Sequence, residues 1–385
     1  MNQTISATQK SPAAKKWLGQ RVSIRLAVWF AWVVTGISAP AVTTNDVSTM
    51  FNSYSNAYYS LSGSNGYFKS DQTGGVAYFW EQAEEVECVL DAFEWTSNTA
   101  YNTMITSLLD GFLQHNGTNW TSNDYNDDCM WACIAFARGY LDTGSTRFRD
   151  AARSNFEVVY ARSWDAALGG GLYWTTTNQS KNACVNGPGG IAAWLLYQTC
   201  GDNKYLTEAS NIYKWERSVL FNPETGAVAD SIGINGRIHS WASTYNQGTF
   251  IGLANFLGHT NDAVLAANYT RNKMTVSGIL PQYGIAGNNS GFNAIFLRWM
   301  ARFIRDRGLQ NTYQPWLQEN ANAAWNVRRT SDNLAWCQWQ QPTPAGPNLH
   351  SWDCLASVEA VLVGQPTPGT IFGTVTGAAK ATNNQ

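Results

Sequence analysis

A helix-and-turn unit recurs along this chain, and that recurrence limits what it can fold into more than any other feature. Each unit is an apolar run of helical period that closes on an aromatic residue and a short polar turn, after which a second helical run begins. Phe93-Glu94-Trp95-Thr96-Ser97-Asn98, Tyr140-Leu141-Asp142-Thr143-Gly144-Ser145 and Tyr197-Gln198-Thr199-Cys200-Gly201-Asp202 are three such turns. Phe256-Leu257-Gly258-His259-Thr260-Asn261 and Phe303-Ile304-Arg305-Asp306-Arg307-Gly308 continue the series. Their spacing of about 45 to 60 residues is that of one αα-hairpin with a return loop.

Upstream of each turn, near the start of its first helix, stands a polar or aromatic cluster. In order these are Trp80-Glu81-Gln82, Asn126-Asp127-Asp128, Asn186-Gly187-Pro188, Tyr245-Asn246-Gln247-Gly248 and Gly291-Phe292-Asn293, with Trp352-Asp353 as a sixth. Pro188 is read as a first helical position. Six hairpins with their polar ends alike predict an all-α (α/α)6 barrel, a six-hairpin toroid whose clusters converge at one mouth. An open solenoid would line a groove with them instead. An opening helix is expected over Asn45 to Leu61. Strand signals are weak: Ala227-Val228-Ala229-Asp230, after the turn at Asn222-Pro223-Glu224-Thr225-Gly226, is expected to pair with Leu172-Tyr173-Trp174 as a short hairpin beside the cleft.

The chemistry points to the second cluster. Asp127 and Asp128 precede Met130, Cys133, Ile134, Ala137 and Leu141 at helical spacing, so the pair sits at a helix N-terminus. Free N–H groups and the positive dipole end there favour one ionised carboxylate. Two carboxyls so close cannot ionise independently, so the second titrates higher. One bare and one protonated acid is what glycoside cleavage needs. Adjacent acids before a helix are more often only a cap and a first-turn charge. A calcium loop is excluded, since Cys129 stands where the turn glycine belongs and Ala135 where the bidentate Glu belongs.

Composition narrows the classes. Charged residues are 14% of 385 and the net charge is −2, which argues against nucleic acid and against a polybasic membrane patch. Eighteen Trp and 17 Tyr suit either a Trp-rich core or a cleft of flat faces for sugar rings or peptides. Four scattered His and seven Cys show no metal-ligand spacing, so no metal or cofactor is expected. Cys129 and Cys133 read as buried free thiols. Cys337 and Cys354 are a candidate disulfide across a Pro-rich loop.

Lys15, Lys16, Arg21 and Arg25 precede the apolar run from Leu26 to Ala39, and Ala39-Pro40-Ala41 resembles a signal peptidase site. Residues 1–41 are therefore read as a signal peptide and 42–363 as the barrel domain. Residues 364–385 read as a linker-like tail. The mature protein is expected to be secreted or periplasmic, a monomer, with no stable membrane insertion after the signal is removed.

Asn126-Asp127-Asp128-Cys129-Met130-Trp131 resembles the paired-aspartate motif of glycoside hydrolase family 76, the endo-α-1,6-mannanases and their fungal cell-wall relatives. Lys181 to Pro188, Phe221 to Gly226, Thr244 to Gly248 and Phe292 to Trp299 are similar to further stretches of that family, in consistent order between about residues 45 and 362. The resemblance implies the same (α/α)6 barrel and a retaining hydrolase of α-mannan, with Asp127 as nucleophile and Asp128 as acid/base. Retention requires carboxyls about 5 to 5.5 Å apart, which sequence neighbours can reach. Glu81, Asn182, Asn186, Asp230, Tyr245 and Gln247 are expected to bind sugar hydroxyls, and Trp80 and Trp131 to stack on rings. Arg298 is expected either to pair with a cleft carboxylate or to support the wall. Met130-Trp131-Ala132 departs from the two consecutive Trp of many relatives, and the tail lacks the hydrophobic run of a lipid-anchored protein. A cell-envelope transglycosylase, a non-catalytic α-glycan-binding protein and an unsaturated glycuronyl hydrolase are the competing readings.

Overall fold

A computed structural model describes residues 41–346 and 348–365. The expected signal peptide and tail lie almost wholly outside these residues. The described chain runs α1 (Thr44–Tyr58), β1 (Tyr59–Ser62), β2 (Asn65–Phe68), α2 (Phe79–Thr96), α3 (Ala100–Asn116), α4 (Asn126–Thr143) and α5 (Thr146–Ser163). It continues through β3 (Ser180–Asn182), α6 (Ala183–Cys200), α7 (Asn203–Val219), β4 (Ser231–Gly233), β5 (Ile238–His239), α8 (Thr244–Phe256) and α9 (Thr260–Tyr269). It ends with α10 (Phe292–Arg307), α11 (Gln310–Asn326) and α12 (Ser351–Val363).

Burial sorts the helices into two rings. In α4 every residue from Asp128 to Gly139 is buried, and α12 is buried from end to end. A helix apolar on all faces needs protein on all faces. The even-numbered helices supply this by packing side by side, from α2 through α12 and back to α2. Trp80 on α2 meets Trp352 on α12 edge-to-face at 4.7 Å where the ring closes. The odd-numbered helices form the outer ring. α7 is typical, with Tyr205, Ala209, Ile212, Tyr213, Trp215 and Glu216 buried on one face and a charged face opposite. The fold is an (α/α)6 barrel. Its sixth inner helix, α12, takes its outer partner from the other end of the chain: α1 packs on it, and Tyr58 donates to the Leu349 carbonyl at 2.9 Å.

The recurrent turn has a physical basis. Gly144, Gly201 and Gly308 end their inner helices at φ of 72°, 70° and 67°, a left-handed conformation that glycine adopts without penalty. The cap N–H donates four residues back, to the carbonyls of Tyr140, Tyr197 and Ile304. The aromatic residue of the pattern is thus, in two of these three, the cap's acceptor. Ser97 does the same work after α2 at φ 54°, bonding Phe93.

Several local expectations change. The opening helix stops at Tyr58, and the chain turns into the β1–β2 hairpin instead of reaching Leu61. The expected pairing of Ala227–Asp230 with Leu172–Trp174 does not form. Leu172 bridges Trp164 and Val228 bridges Phe221, while β4 pairs β3 on one side and β5 on the other. Pro188 is the sixth residue of α6, not the first. Cys337 and Cys354 are both buried and free, so no disulfide joins them, and Cys129 and Cys133 are buried free thiols as expected.

Inside the ring lies a charged core. Arg138 on α4 bonds Glu87 at 2.8 Å, Asp91 at 2.7 Å and Glu94 at 2.8 Å, all on α2. Arg298 on α10 bonds Asp91 at 2.5 Å and Glu84 from the other side. Burial still pushes Glu84 up to about 8, against the pull of Arg298. Removing one partner of such a cluster leaves uncompensated buried charge, at a cost of about 3 to 5 kcal/mol. Arg298→Met, which keeps the volume, should therefore lower the denaturant midpoint substantially while the folded fraction keeps its KM. Were Arg298 a sugar ligand, stability would hold and KM would rise.

Candidate active site

The inner helices all begin at one end of the barrel, and the acid pair stands there in the first turn of α4. Tyr125 precedes the helix without a side-chain cap. The first N–H groups are served from a loop instead: Asn126 donates its backbone N–H to the Trp174 carbonyl at 2.8 Å, and its side-chain amide to the Tyr173 carbonyl at 2.8 Å. The 171–182 segment, which carries the exposed Trp174, is thereby drawn over the start of α4. Trp174 and Tyr125 rings lie 5.5 Å apart.

Asp127 is half-buried and Asp128 is buried. Asp127 Oδ1 has no hydrogen-bond partner among the described residues. Asp128 Oδ2 accepts from Asn123 Nδ2 at 3.0 Å. Burial pushes the Asp127 carboxyl up to about 8, the neighbouring Asp128 charge adds to this, and the Cys184 thiol and Trp174 pull it part of the way back. Burial also raises Asp128, to about 6, with the Asn123 amide holding it down. Burial raises both and each charge opposes the other, so the two steps belong to the pair and not to either residue. The pair titrates as a unit and carries one proton at neutrality.

Around the pair the expected residues divide. Glu81 is half-buried, accepts from the Tyr78 N–H at 3.2 Å, and is raised by burial. Its charge reaches Asp128. Asp230 is half-buried and raised by burial, with Ser231 donating to it at 2.9 Å. Tyr245 stacks on Phe292 at 3.7 Å, and its hydroxyl feels Cys184, Asp230 and Asp127. Asn182, next to α6, accepts from the Ser180 hydroxyl at 2.6 Å.

The others belong to the frame. Gln247 is fully buried, accepts from the Val228 N–H at 2.5 Å, and donates to the Gly226 and Ala266 carbonyls at 3.0 and 3.1 Å. Asn186 is fully buried and spends its amide on both backbone groups of Leu172 and on the Asn182 carbonyl. Neither has a group left for sugar. Trp131 is core behind the pair, 2% exposed, so it offers no stacking face. Trp80 is 8% exposed and turned onto Trp352. Arg298 pairs with α2 carboxylates in the barrel core, not with a cleft acid.

Sequence reading missed Asn123, Tyr125 and Trp174, and also Tyr78, whose hydroxyl feels Asp128 most strongly among its charged neighbours. All four lie outside the helices, where no periodicity marks them. Tyr78, Phe79, Asn116, Trp120, Asn123 and Tyr125 help line a cavity of about 380 Å³ beside the loop that leads into α4.

A helical double ring with two adjacent carboxyls in the first turn of an inner helix defines the class: an (α/α)6 barrel carrying an acid pair of the kind that glycoside cleavage uses. The family model for glycosyl hydrolase family 76 matches residues 38–369, and the chain belongs to that family. It is 25% identical over 285 residues to the mannan endo-1,6-alpha-mannosidase DCW1 of Saccharomyces cerevisiae, covering 64% of this chain and 62% of that protein. Among solved structures it is similar to an inactive double-aspartate variant of the alpha-1,6-mannanase GH76A of Salegentibacter sp. HEL1_6, in complex with alpha-1,6-mannotriose. There the TM-score is 0.76 and the identity 29%, over 83% of this chain and 98% of that one. Dfg5 from Chaetomium thermophilum shares the fold at 17% identity and a TM-score of 0.69, over 84% of this chain and 92% of that one.

Gln247→Ala should cost about 1 to 3 kcal/mol, because it orphans the buried Val228 N–H and takes a donor from the Gly226 carbonyl. Thermal unfolding should show the loss, with KM for a mannan substrate unchanged.

Proposed function

We propose that this chain is a retaining glycoside hydrolase that cleaves α-1,6-mannosidic linkages within α-mannan. The observation that carries the reading is the pair itself: Asp127 with an oxygen bare of donors, beside Asp128 gripped by Asn123, in the first turn of α4. Asp127 attacks the anomeric carbon, and Asp128 protonates the departing oxygen. Asp128, now a carboxylate, then takes a proton from water as that water opens the glycosyl–enzyme bond. Asp127 leaves unchanged. Tyr245, Asp230, Glu81 and Asn182 bind hydroxyls of the chain, with Trp174 and Tyr125 as ring platforms at the rim. Two findings support the substrate: the α-1,6-mannotriose held by the Salegentibacter relative and the activity named for the yeast one.

We further propose that the 1–41 segment exports the protein and that it works as a monomer on polysaccharide outside the cytoplasm. No helix among the described residues is long and apolar enough to cross a membrane.

Linear α-1,6-mannan incubated with the mature domain should yield shortened chains of retained anomeric configuration, read by proton NMR. Asp128→Asn should lower kcat by roughly 10² to 10⁴, and Asp127→Asn at least as much, with the circular dichroism spectrum unchanged. Near-full turnover in both variants would sink the reading. Chains transferred to a second glycan would make it a transglycosylase, and tight binding without new reducing ends a glycan-binding protein.

The pH profile follows from the pair. Below its lower step both acids are protonated and the nucleophile is lost; above its upper step both are bare and the acid is lost. A plot of kcat/KM against pH should be bell-shaped, with limbs near 6 and 8. A profile flat from pH 5 to 9 would contradict it.

A further inference from the structure

Asn123 lies in the loop ahead of α4 and meets the pair through its side chain alone. Its Oδ1 accepts from the Tyr125 N–H at 2.9 Å. That bond fixes the amide's orientation, so the nitrogen must face Asp128 Oδ2, 3.0 Å away. An amide nitrogen donates and cannot accept, so a proton on Asp128 has to sit on the other oxygen.

The loop is held from the outer ring. Arg162, at the end of α5, donates from Nε to Asn126 Oδ1 at 2.7 Å, from Nη1 to the Thr121 carbonyl at 2.8 Å and from Nη2 to the Asn123 carbonyl at 2.7 Å. One rigid, planar guanidinium thus ties both ends of the 121–126 segment. Asn126 passes the restraint on, donating to the Tyr173 and Trp174 carbonyls. A segment without regular backbone pairing otherwise opens easily.

We propose that Asn123 and Arg162 are positioning residues that set which oxygen of Asp128 carries the transferable proton: Asn123 occupies Oδ2 and leaves the proton on Oδ1, and Arg162 holds Asn123 in place from the outer helix. This rests on the reading of Asp128 as the acid/base. Asn123 then serves both half-reactions, since its donor also stabilises the carboxylate left after proton transfer. The charged and titratable groups facing Asp128 are Asp127 and Cys129 on its own helix, Glu81 on α2 and Tyr78 ahead of α2. None of them offers a neutral amide donor in Asn123's place.

The test is the pH dependence of kcat/KM in wild type, Asn123→Ala, Asn123→Asp, Arg162→Met and the double variant Asn123→Ala/Arg162→Met, with Asp128→Asn as reference. Removing a donor to the charged form should displace the bell of Asn123→Ala upward by roughly one pH unit. Its kcat should fall by about tenfold, with KM little changed. Asn123→Asp, which puts a like charge against Asp128, should move further in the same direction. Arg162→Met should shift less than Asn123→Ala, and the double variant no further than Asn123→Ala alone, because the two act in series.

A lower rate with the profile unmoved would reduce Asn123 to a structural residue and overturn the proposal, as would fully additive shifts. Should Asn123→Ala fail to fold, the near-isosteric Asn123→Asp carries the same decision. If Asp128→Asn keeps its turnover, the acid/base reading falls and takes the proposal with it. If Asp128→Asn is dead while Asn123→Ala keeps the wild-type profile, only the proposal falls.

Discussion

Six helices surrounded by protein on every side are the constraint on which everything else here depends. Such a helix meets water only at its ends, and its first N–H groups have no partners within the helix. In this barrel all six point the same way, so the polar groups that answer those ends collect at one mouth. The site is a consequence of burial before it is a feature of chemistry. Asn126 shows the link: its N–H and amide close the start of α4 onto carbonyls of the 171–182 segment, and that closure brings Trp174 beside the acids.

The same burial makes the barrel's interior expensive to charge, yet four acids of α2 face Arg138 and Arg298 there. The arginines neutralise that cost only in part. Glu94, which burial alone would raise, is held well below the usual carboxylate range by Arg138, Arg302 and Arg305. Glu84 stays raised. These contacts join α2 to its neighbour α4 and, through the barrel interior, to α10, so they fix three inner helices relative to one another. A ring held this way is a stiff support for the acid pair one end away.

At the mouth, environment assigns the protons. Asp127 and Asp128 are the same residue type on the same turn, and the helix terminus treats them nearly alike. Burial raises both; the Asn123 amide steadies Asp128, while the Cys184 thiol and Trp174 steady Asp127. The result is a carboxyl pair that holds a single proton at neutral pH, a state set by neighbours and not by the motif.

The order of elements was legible because its signals are local. A glycine at positive φ, an acceptor carbonyl four residues back and an apolar run of period 3.6 are all short-range, and they locate five of the six inner helices and the acid pair in their first turns. Beyond that reach the sequence was ambiguous. Asn186, Gln247, Asn182 and Tyr245 are all polar residues at or beside inner-helix starts, and nothing in the chain says which of them face the cleft. Tertiary structure decided it by presenting Leu172 to Asn186 and the Val228 and Gly226 backbone to Gln247, partners 14 to 21 residues away. It also recruited Asn123 and Trp174 from loops and sent Arg298 into the core to meet Asp91, 207 positions distant. A hydrogen bond is satisfied by whatever folding brings near, so the sequence settles which groups need partners and only the packed chain settles which ones find them.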